Sequence, residues 1–452
     1  MEVALKRVAD AVRRTRGGVV SSAIEARSIP GMGVGVVARE HIPKDTLVFQ
    51  AGEDVWYPFS AEHALETAQQ KAPGFLNQLN QLLASSRVLR EGSSFVPSAL
   101  VLGVHMLVNF PHSENPETSL MAMASMNTPP LDELYVNALP RYVDLPLYWD
   151  DKQFEELQGC EEARRAMQHG ARFYSQVYKH LFGANNQFVN AEAFFWAISI
   201  LMSRATSGQN QPFALIPFFD WFNHAGNGSD NCRHALDSDE CVQDFDMQKG
   251  FTIHTTRSYE PGEQLFINYG SHGNLRLLRN YGFTMPNNPY DVVNLPMPAA
   301  LQQPNEADPA FAQKRDLLFS ATGSQSAMPA LNSLRFQNDG SLAQNAKHWL
   351  EVMLATPEEL NEIFRQAASQ GSPEAATSSL RLPSSLTHKV RSEVGKVLAS
   401  RLKQHTSSFE EDDVFLRGNE QQMAPWLRSC LHIRMGEKQT LLRAASKYAT
   451  IS

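Results

Sequence analysis

The sequence is short of cysteine, of basic charge and of long apolar runs, and each shortage excludes a class of protein. Four cysteines in 452 residues are too few for a disulfide scaffold, which indicates a reducing compartment. The longest apolar runs, such as residues 213–219, fall far short of the ~20 residues that span a bilayer, so we expect no membrane partner. Basic residues number 40 against 48 acidic ones, and this balance argues against nucleic acid as a partner.

The rest of the composition is that of an ordinary globular protein. Hydrophobic residues make up 42% of the chain and charged residues 19%, and this length predicts about two to three domains. The net negative charge suits a basic protein partner. We expect the protein itself to be a monomer. Lys6 to Arg16 is a basic, amphipathic stretch, interpreted as a surface helix rather than a mitochondrial presequence. We therefore expect the cytoplasm or the nucleus, with the mitochondrion as the alternative.

The pattern along the chain predicts an α+β region followed by a helical one. Short strands are predicted at residues 34–38, 46–49, 213–219, 251–255 and 264–268. The last two are expected to form a hairpin, because Glu260-Pro-Gly-Glu263 is a turn sequence. A helical period extends from residue 60 to about 182, and residues 193–203 form a second, apolar helix. Beyond residue 311 every strong pattern is helical, and the Ser- and Ala-rich stretch 367–385 is interpreted as a loop.

The glycine pair in Gly33-Val-Gly35-Val-Val-Ala38 satisfies the pattern G-x-G-x-x-A. A dinucleotide site needs this pattern after a strand and before a helix, whereas here a Pro-Gly turn precedes it and a strand follows. The dinucleotide interpretation is therefore disfavoured. Two alternatives stay open, a tight turn without a ligand and a loop whose backbone amides approach a small ligand.

Polar residues follow the apolar run at Asp220, Asn223 and His224, where the alternatives are a capped strand end and a functional site. Tyr269 and Tyr281 fit core residues with a satisfied hydroxyl as well as site residues. Arg204 ends an apolar helix, where a cation is normal. One group of possible metal ligands matches no zinc spacing, so no metal site is predicted; its members are His224, Cys232, His234 and Cys241.

Three ordered motifs resemble those of the SET-domain protein methyltransferases. The first is the glycine pair followed by a strand, which begins at Gly33. The second is Leu215-Ile-Pro-Phe-Phe-Asp-Trp-Phe-Asn223-His224, which fits the family pattern L-I-P-x-x-D-x-x-N-H nearly residue for residue. The third is Gly262-Glu-Gln-Leu-Phe-Ile-Asn-Tyr269-Gly270, which is followed by Gly282-Phe283.

Two further segments resemble one branch of this family, which includes the Rubisco large-subunit lysine methyltransferase and the actin histidine methyltransferase. The stretch Leu139-Pro-Arg-Tyr-Val-Asp-Leu-Pro-Leu-Tyr-Trp is typical of the helical insert of this branch. Leu431-His-Ile-Arg-Met-Gly-Glu-Lys-Gln-Thr-Leu-Leu is similar to the end of its helical substrate-binding domain. The resemblance thus covers most of the chain.

The resemblance implies an α+β fold class, a SET-domain β-fold with a pseudoknot and a helical insert, plus an all-α C-terminal domain. In the pseudoknot, the segment that ends at Asn223-His224 and the segment that holds Tyr269 thread past each other, which is rare in proteins. The implied segments are the N-terminal part of the SET domain, the helical insert, the SET core with the active site and a helical substrate-binding-like domain, at residues 1–60, 61–190, 191–296 and 305–452.

The resemblance also implies S-adenosylmethionine as cofactor and a protein as substrate. The implied catalytic residues are Tyr269 and Tyr281. The implied cofactor-binding residues lie in the three motifs and at the end of one helix, namely Gly33, Val34, Gly35, Arg204, Asn223, His224, Tyr269 and Phe283. Asp220 and Thr206 are the implied substrate contacts, and Glu53 and Glu62 are the candidates for an acidic residue at the cofactor ribose.

The resemblance leaves the acceptor residue open. Lysine-directed relatives often have an aromatic residue two positions after the arginine and the histidine-directed relative has an amide, whereas Thr206 is neither. Tyr281 favours lysine, because a second tyrosine is a feature of the lysine enzymes. The Cys-rich zinc modules of histone-directed relatives are absent. The preferred interpretation is a protein-lysine N-methyltransferase with a non-histone substrate; the alternatives are a histidine methyltransferase and an inactive SET-domain binding protein.

Overall fold

The computed structural model describes most of the chain, namely residues 1–85, 95–109, 130–183, 190–206, 208, 211–225, 241–322, 331–369, 384–419 and 422–448. The chain forms two compact units. The first contains Met1–Trp149, Met167–His272 and Arg276–Pro286, and the second contains Asp150–Ala166, Gly273–Leu275 and Asn287–Ser452. None of the helices in the described ranges is both long enough and apolar enough to cross a membrane.

The first unit begins with helix α1 (Glu2–Arg14), whose apolar face is part of the core. Leu5, Val8 and Val12 recur at helical spacing and are buried, while Lys6 lies exposed between them. Each such side chain contributes about 1.5–3 kcal/mol when it leaves water. The basic stretch is therefore the solvated face of a packed helix, in agreement with the surface-helix interpretation.

The described strands of the first unit form two four-stranded sheets. Their bounds are β1 (Gly18–Val20), β2 (Ile24–Ile29), β3 (Gly33–Ala38), β4 (Leu47–Ala51), β5 (Asn223–His224), β6 (Val242–Asp246), β7 (Gly250–His254) and β8 (Gln264–Ile267). One sheet has the order β1-β4-β7-β6 and is antiparallel throughout. The other has the order β2-β3-β8-β5, and its β5–β8 pair is parallel.

The predicted hairpin between residues 251–255 and 264–268 was wrong, because β7 and β8 lie in different sheets. β7 is buried along most of its length and pairs with β4 and β6, so that Phe251 lies opposite Phe245. β8 pairs instead with β3 and β5. The turn at Glu260 to Glu263 reverses the chain as expected, but a local turn signal does not decide which buried edge a strand joins.

Residues 213–219 are buried as predicted but do not form a strand. Ala214 makes only isolated bridges within the described residues. Pro217 has no N–H to give to a ladder, and Phe218 has a φ of +73°. A φ of this sign turns the chain out of the extended region, and the 3₁₀ helix Phe219–Trp221 follows.

Helices occupy much of the chain between β4 and β5, as predicted for the helical insert. Their bounds are α2 (Glu53–Trp56), α3 (Ala61–Lys71), α4 (Pro73–Ser85), α5 (Phe95–Asn109), α6 (Leu131–Ala138), α7 (Asp151–Glu155), α8 (Glu161–Phe182) and α9 (Ala191–Arg204). The apolar helix predicted at 193–203 is α9, and half of its side chains are buried. The core of the first unit joins α1, the two sheets and these helices except α7, which belongs to the second unit, in a single apolar cluster.

The second unit is mainly helical, as predicted for the C-terminal region. It contains α7 and the start of α8, whereas most of α10 (Asn274–Tyr281) belongs to the first unit. Its later described helices are α11 (Phe311–Thr322), α12 (Gln344–Leu354), α13 (Pro357–Ser369), α14 (Ser384–Leu402), α15 (Phe409–Asn419) and α16 (Pro425–Tyr448). Two strands, β9 (Val292–Pro296) and β10 (Ser333–Gln337), pair antiparallel. β10 was not predicted, and β9 belongs to this unit although the predicted SET core extends to residue 296. Most of the predicted loop 367–385 lies outside the described residues.

Candidate active site

The parallel pairing of β5 with β8 brings the second and third motifs together. Asn223 lies opposite Phe266, and His224 lies opposite Ile267. Beyond β8, the backbone N–H of Tyr269 donates a hydrogen bond to His224 Nδ1 at 3.2 Å, across a separation of 45 residues. The two segments that the resemblance places at one site are thus in direct contact.

Tyr269 is held through its hydroxyl and through its ring. Its hydroxyl donates to the carbonyl oxygen of Phe222 at 2.8 Å, and its ring stacks on His224 with 5.1 Å between centroids. Burial raises the pKa of Tyr269 above its ordinary range. The phenol therefore stays neutral at physiological pH and acts as an oriented dipole rather than as a base.

Two more aromatic residues complete this group. Tyr281, at the end of α10, lies 5.0 Å from Tyr269 between ring centroids. Phe283 lies 6.2 Å from both Tyr281 and His224. Burial lowers the pKa of His224 to about 4. Because Nδ1 accepts a hydrogen bond, the neutral ring carries its proton on Nε2.

Gly33 and Gly35 lie in β3 rather than in a loop; the name glycine loop is kept for residues 33–35, which contact the second motif. Asn223 Nδ2 donates to the carbonyl oxygen of Val34 at 3.1 Å. A Cβ on Gly35 would lie 2.7 Å from Gln264 Nε2 and 2.9 Å from Asn223 Nδ2, so this close approach requires glycine. Gly33 has a φ of +78°, and no heavy atom of the described chain lies within 4 Å of the position of its Cβ. The loop therefore packs on β5 and β8 at Gly35 and leaves open space at Gly33.

Arg204, at the end of α9, forms a buried ion pair with Asp220. Arg204 Nη1 lies 2.9 Å from Asp220 Oδ2 and donates to the Asp220 backbone carbonyl at 3.1 Å. The hydroxyl of Tyr135 donates to the same Oδ2 at 3.0 Å. Burial raises the pKa of Asp220, and the Arg204 guanidinium beside it acts in the opposite direction.

Two polar atoms of this pair stay unsatisfied. Arg204 Nε and Asp220 Oδ1 are buried, and neither makes a hydrogen bond to any residue that the structure describes. Buried polar groups are nearly always hydrogen-bonded, so each such atom calls for an explanation. A ligand in the adjoining space would supply partners for both.

A cavity of about 530 Å³ adjoins these residues. Five of the predicted site residues line it, namely Arg204, Thr206, Asp220, Tyr269 and Tyr281. The glycine loop, Asn223, His224 and Phe283 are not part of this lining, and they join the group through the contacts with Val34, Tyr269 and Tyr281 described above. The hydroxyl of Thr206 is engaged within its own segment, where it donates to the carbonyls of Pro212 and Ala214 at 3.1 Å.

Sequence reasoning missed several residues of this site, among them His272, Gln243 and Tyr135. His272 and Gln243 line the cavity, and Tyr135 binds Asp220. The signal for His272 is Gly270, which has a φ of +118° and whose Cβ would lie 2.7 Å from the His272 ring. No sequence signal points to Tyr135, because its role depends on the position of α6.

The remaining predicted positions lie at different places. Glu53 and Glu62 are exposed in the first turns of α2 and α3. Cys241 is buried, with its sulfur 3.5 Å from the hydroxyl of Tyr259. Cys232 and His234 lie outside the described residues.

The sheets, the paired motifs and the glycine loop define the class of this protein. The family model described as SET domain matches residues 33–270, so the chain belongs to the SET-domain family. A second model, described as Rubisco LSMT substrate-binding, matches residues 305–441.

Similar proteins extend this assignment. The actin-histidine N-methyltransferase of Canis lupus familiaris is 25% identical over 342 residues, which cover 70% of this chain and 53% of that protein. The Gallus gallus protein of the same name is 23% identical over 464 residues, which cover 96% of this chain and 67% of that protein. The chain thus spans about half the length of most of the curated relatives it matches.

The structure of Rubisco LSMT bound to sinefungin and monomethyllysine matches with a TM-score of 0.67 at 19% sequence identity. The match covers 99% of this chain and 92% of that one. At this identity the likeness shows a common fold.

Proposed function

We propose that this protein is an S-adenosylmethionine-dependent protein-lysine N-methyltransferase with a non-histone substrate. The observation that carries the proposal is the pair of Tyr269 and Tyr281, whose ring centroids are 5.0 Å apart at the wall of a cavity. This cavity adjoins the β5–β8 pairing that joins the second and third motifs. Membership of the SET-domain family and the fold shared with Rubisco LSMT support the same activity.

The cofactor suits the residues beside the cavity. S-adenosylmethionine, when bound, supplies an electrophilic methyl group on a sulfonium sulfur. The buried Nε of Arg204 has no hydrogen-bond partner among the described residues, and it fits a carboxylate. The neighbouring rings of His224 and Phe283, 6.2 Å apart between centroids, would supply aromatic surface to the heterocycle of a bound cofactor. Open space beside Gly33 allows the backbone to approach a ligand closely.

The role of the chain's own residues is to desolvate and align the acceptor. A lysine amine attacks only when neutral, and its pKa of ~10.4 in water falls on burial. The Tyr269 hydroxyl donates its hydrogen bond to the Phe222 carbonyl. The lone pairs of its oxygen can therefore accept a hydrogen bond from the N–H of the substrate amine. A sulfonium methyl donor would need no acid to assist its leaving group, so the task of Tyr269 and its neighbours would be alignment rather than acid catalysis.

A histidine acceptor is the second candidate, supported by the actin-histidine N-methyltransferases among the relatives. A histidine is largely neutral at pH 7, because its ordinary pKa is ~6.5. It therefore needs less help from desolvation than a lysine does. The third candidate, a binding protein without turnover, predicts neither cofactor binding nor methyl transfer.

The test uses the purified chain with isotope-labelled S-adenosylmethionine and three substrates, namely actin, Rubisco and a lysate of its source organism. Labelled proteins are hydrolysed to identify the methylated amino acid. Tyr269→Phe runs beside the matched control Tyr142→Phe, which changes an exposed tyrosine. Label on lysine that is weakened only by Tyr269→Phe supports the proposal. Label on histidine supports the second candidate, and absence of both label and calorimetric cofactor binding overturns the enzyme proposal.

A further inference from the structure

Three potential metal ligands meet in the second unit. None of them belongs to the candidate active site. A thiol sulfur of Cys160, an imidazole nitrogen of His405 and a carboxylate oxygen of Glu437 all lie within 4.8 Å of one another. Cys160 precedes α8, His405 follows α14, and Glu437 lies within α16. The separation of these segments explains why no ligand spacing was evident in the sequence.

The cluster is buried and incompletely hydrogen-bonded. Cys160 is 0% exposed, and the side chains of His405 and Glu437 are 4% and 10% exposed. Neither ring nitrogen of His405 makes a hydrogen bond to a described residue, although Nε2 lies 3.4 Å from Glu437 Oε1. A buried imidazole with both nitrogens unsatisfied is rare in a native fold, and it points to a ligand at this position.

We propose that Cys160, His405 and Glu437 bind one divalent cation of the zinc class, with water as the fourth ligand. Thiolate, imidazole and carboxylate are the ligand types that Zn²⁺ prefers. Tetrahedral coordination with bonds of ~2.0–2.1 Å to nitrogen and oxygen separates those two ligand atoms by about 3.3 Å. The 3.4 Å between His405 Nε2 and Glu437 Oε1 matches this separation.

The two charges of the ion and the released proton are accounted for by the same three residues. A cysteine thiol has an ordinary pKa of ~8.5 and carries its proton at neutral pH when no metal is bound. Coordination forms the sulfur–metal bond and releases the thiol proton to solvent. The thiolate and the carboxylate then supply two negative charges against the two positive charges of the ion and the one of Arg401, which pairs with Glu437, so these groups together carry a net charge of +1.

The surrounding residues are compatible with a ligated ion. Arg401 Nε donates to Glu437 Oε1 at 2.8 Å, and metal-bound carboxylates are normally hydrogen-bonded in this way. The positive charges of Arg434 and Lys438 are compensated by Asp412, which contacts both, and by Glu156, which lies 3.5 Å from Arg434. Gly159 has a φ of +81°, and its Cβ would lie 2.4 Å from His405 Nδ1, so glycine is required for the imidazole to lie here.

A metal at this point would connect three segments of the second unit. The turn before α8, the turn after α14 and the middle of α16 would be held by one centre. Because the unfolded chain does not assemble these ligands, the binding free energy would add to the stability of the unit. The proposed role is therefore structural.

The test uses the full chain, treated with a chelator, dialysed and then titrated with Zn²⁺ by calorimetry and with Co²⁺ by visible absorption. We expect one ion per chain, a thiolate-to-Co²⁺ charge-transfer band, and a rise in Tm of about 2–4 °C in excess Zn²⁺. Cys160→Ser and His405→Gln should remove the band and weaken Zn²⁺ binding at least ~100-fold. Cys430→Ser is the matched control, because Cys430 is another buried thiol of this unit, and it should bind as the unchanged protein does.

Circular dichroism establishes whether each variant is folded. If Cys160→Ser does not fold, Glu437→Gln, which keeps the size and hydrogen bonding of the side chain, replaces it in the test. No ion bound by the unchanged protein would overturn the proposal. Binding that survives in Cys160→Ser and is lost in Cys232→Ser would overturn it as well, because the ion would then lie elsewhere. These readouts do not depend on methyl transfer.

Discussion

Arg204 Nη1 and Asp220 Oδ2 lie 2.9 Å apart, and the Asp220 side chain is completely buried. Since Arg204 also donates to the Asp220 backbone carbonyl, the pair fastens the end of α9 to the 3₁₀ helix that leads into β5. Tyr135 adds a third element from α6. One ion pair thus sets the relative position of three segments around the cavity.

Removing the Asp220 carboxylate should destabilise the fold. We expect Asp220→Ala to lower the free energy of unfolding by about 3 kcal/mol, because it leaves the Arg204 charge buried without its partner. The double variant Arg204→Leu with Asp220→Leu should cost less than Asp220→Ala alone, since no buried charge remains. Urea unfolding measures both. A loss of unfolding free energy in the double variant that equals the sum of the losses in Arg204→Leu and Asp220→Leu would contradict the coupling.

The control for this prediction is Asp10→Ala. Asp10 pairs with Arg13 at 2.7 Å, but both side chains are more than one-third exposed. Exposed pairs of this kind contribute less than about 1 kcal/mol. The same measurement should therefore show little change.

Tyr269→Phe should separate binding from turnover. The ring can keep its stacking on His224, while the hydroxyl bond to the Phe222 carbonyl is lost. Loss of the group that orients the acceptor should lower kcat about 100-fold, with the calorimetric Kd for S-adenosylmethionine changed less than about threefold. Tyr142→Phe should match the unchanged enzyme. Equal loss of cofactor affinity and turnover would assign Tyr269 to binding alone.

Gly35→Ala should damage the junction of the first two motifs. Its Cβ would lie 2.7 Å from Gln264 Nε2 and Ile29 Cγ1 and would displace the Asn223 side chain. We expect an unfolding free energy lower by about 1–3 kcal/mol and weaker cofactor binding. Gly74→Ala is the control, because the site of its Cβ has no described heavy atom within 4 Å. A Gly35→Ala protein with unchanged cofactor affinity would show that the loop does not bind it.

His224 should make stability depend on pH. Its folded-state pKa is about 4, whereas its value in the unfolded chain is ~6.5. Between these values the unfolded state binds the extra proton, so stability falls as pH decreases from about 6.5 to about 4. His224→Gln should reduce this slope by up to about 1.4 kcal/mol per pH unit. The exposed His41→Gln is the control, and an unchanged slope in His224→Gln would refute the assignment.

The acceptor should be visible in the pH dependence of kcat/KM. Because a free lysine has a pKa of ~10.4, its methylation should accelerate about tenfold per pH unit through neutrality. Methylation of a histidine should level off above its pKa of ~6.5. The initial rate with a peptide substrate, measured from pH 6 to pH 9, distinguishes the two. A flat profile above pH 7 would contradict the lysine proposal.

The motifs were readable from the sequence because each one combines local chain geometry with unusual polar residues. Gly33, Asn223 and Tyr269 stand out at the ends of short apolar stretches, and the structure places all three segments in one sheet. The hydrogen-bond partners of the site residues could not be read from the sequence. Nothing near Arg204 in the sequence indicates Asp220 or Tyr135, because their contact depends on how α6 and α9 pack.

The wrong assignments have a common physical cause. The turn before β8 predicted a hairpin, but buried strands choose partners by long-range packing rather than by proximity in sequence. The apolar run 213–219 predicted a strand, but Pro217 and the positive φ of Phe218 end the extended chain. β10 was missed although Leu334 and Phe336 alternate with exposed or half-buried residues as in a half-buried strand, because the five-residue pattern lies among longer helical ones.

The pairing of β3 with β8 has a consequence for synthesis. The hairpin of β2 and β3 leaves the ribosome with β3 lacking its neighbour, since Val36 lies opposite Leu265. At ~5–20 residues per second, roughly 10 to 45 s pass before β8 is made. During that interval the nascent chain carries an unpaired strand edge, which is a template for association with other chains. Neither the glycine loop nor Tyr269 can reach its final place until translation has passed the third motif, so the methyl donor proposed for this site could bind only after about three-fifths of the chain has been made.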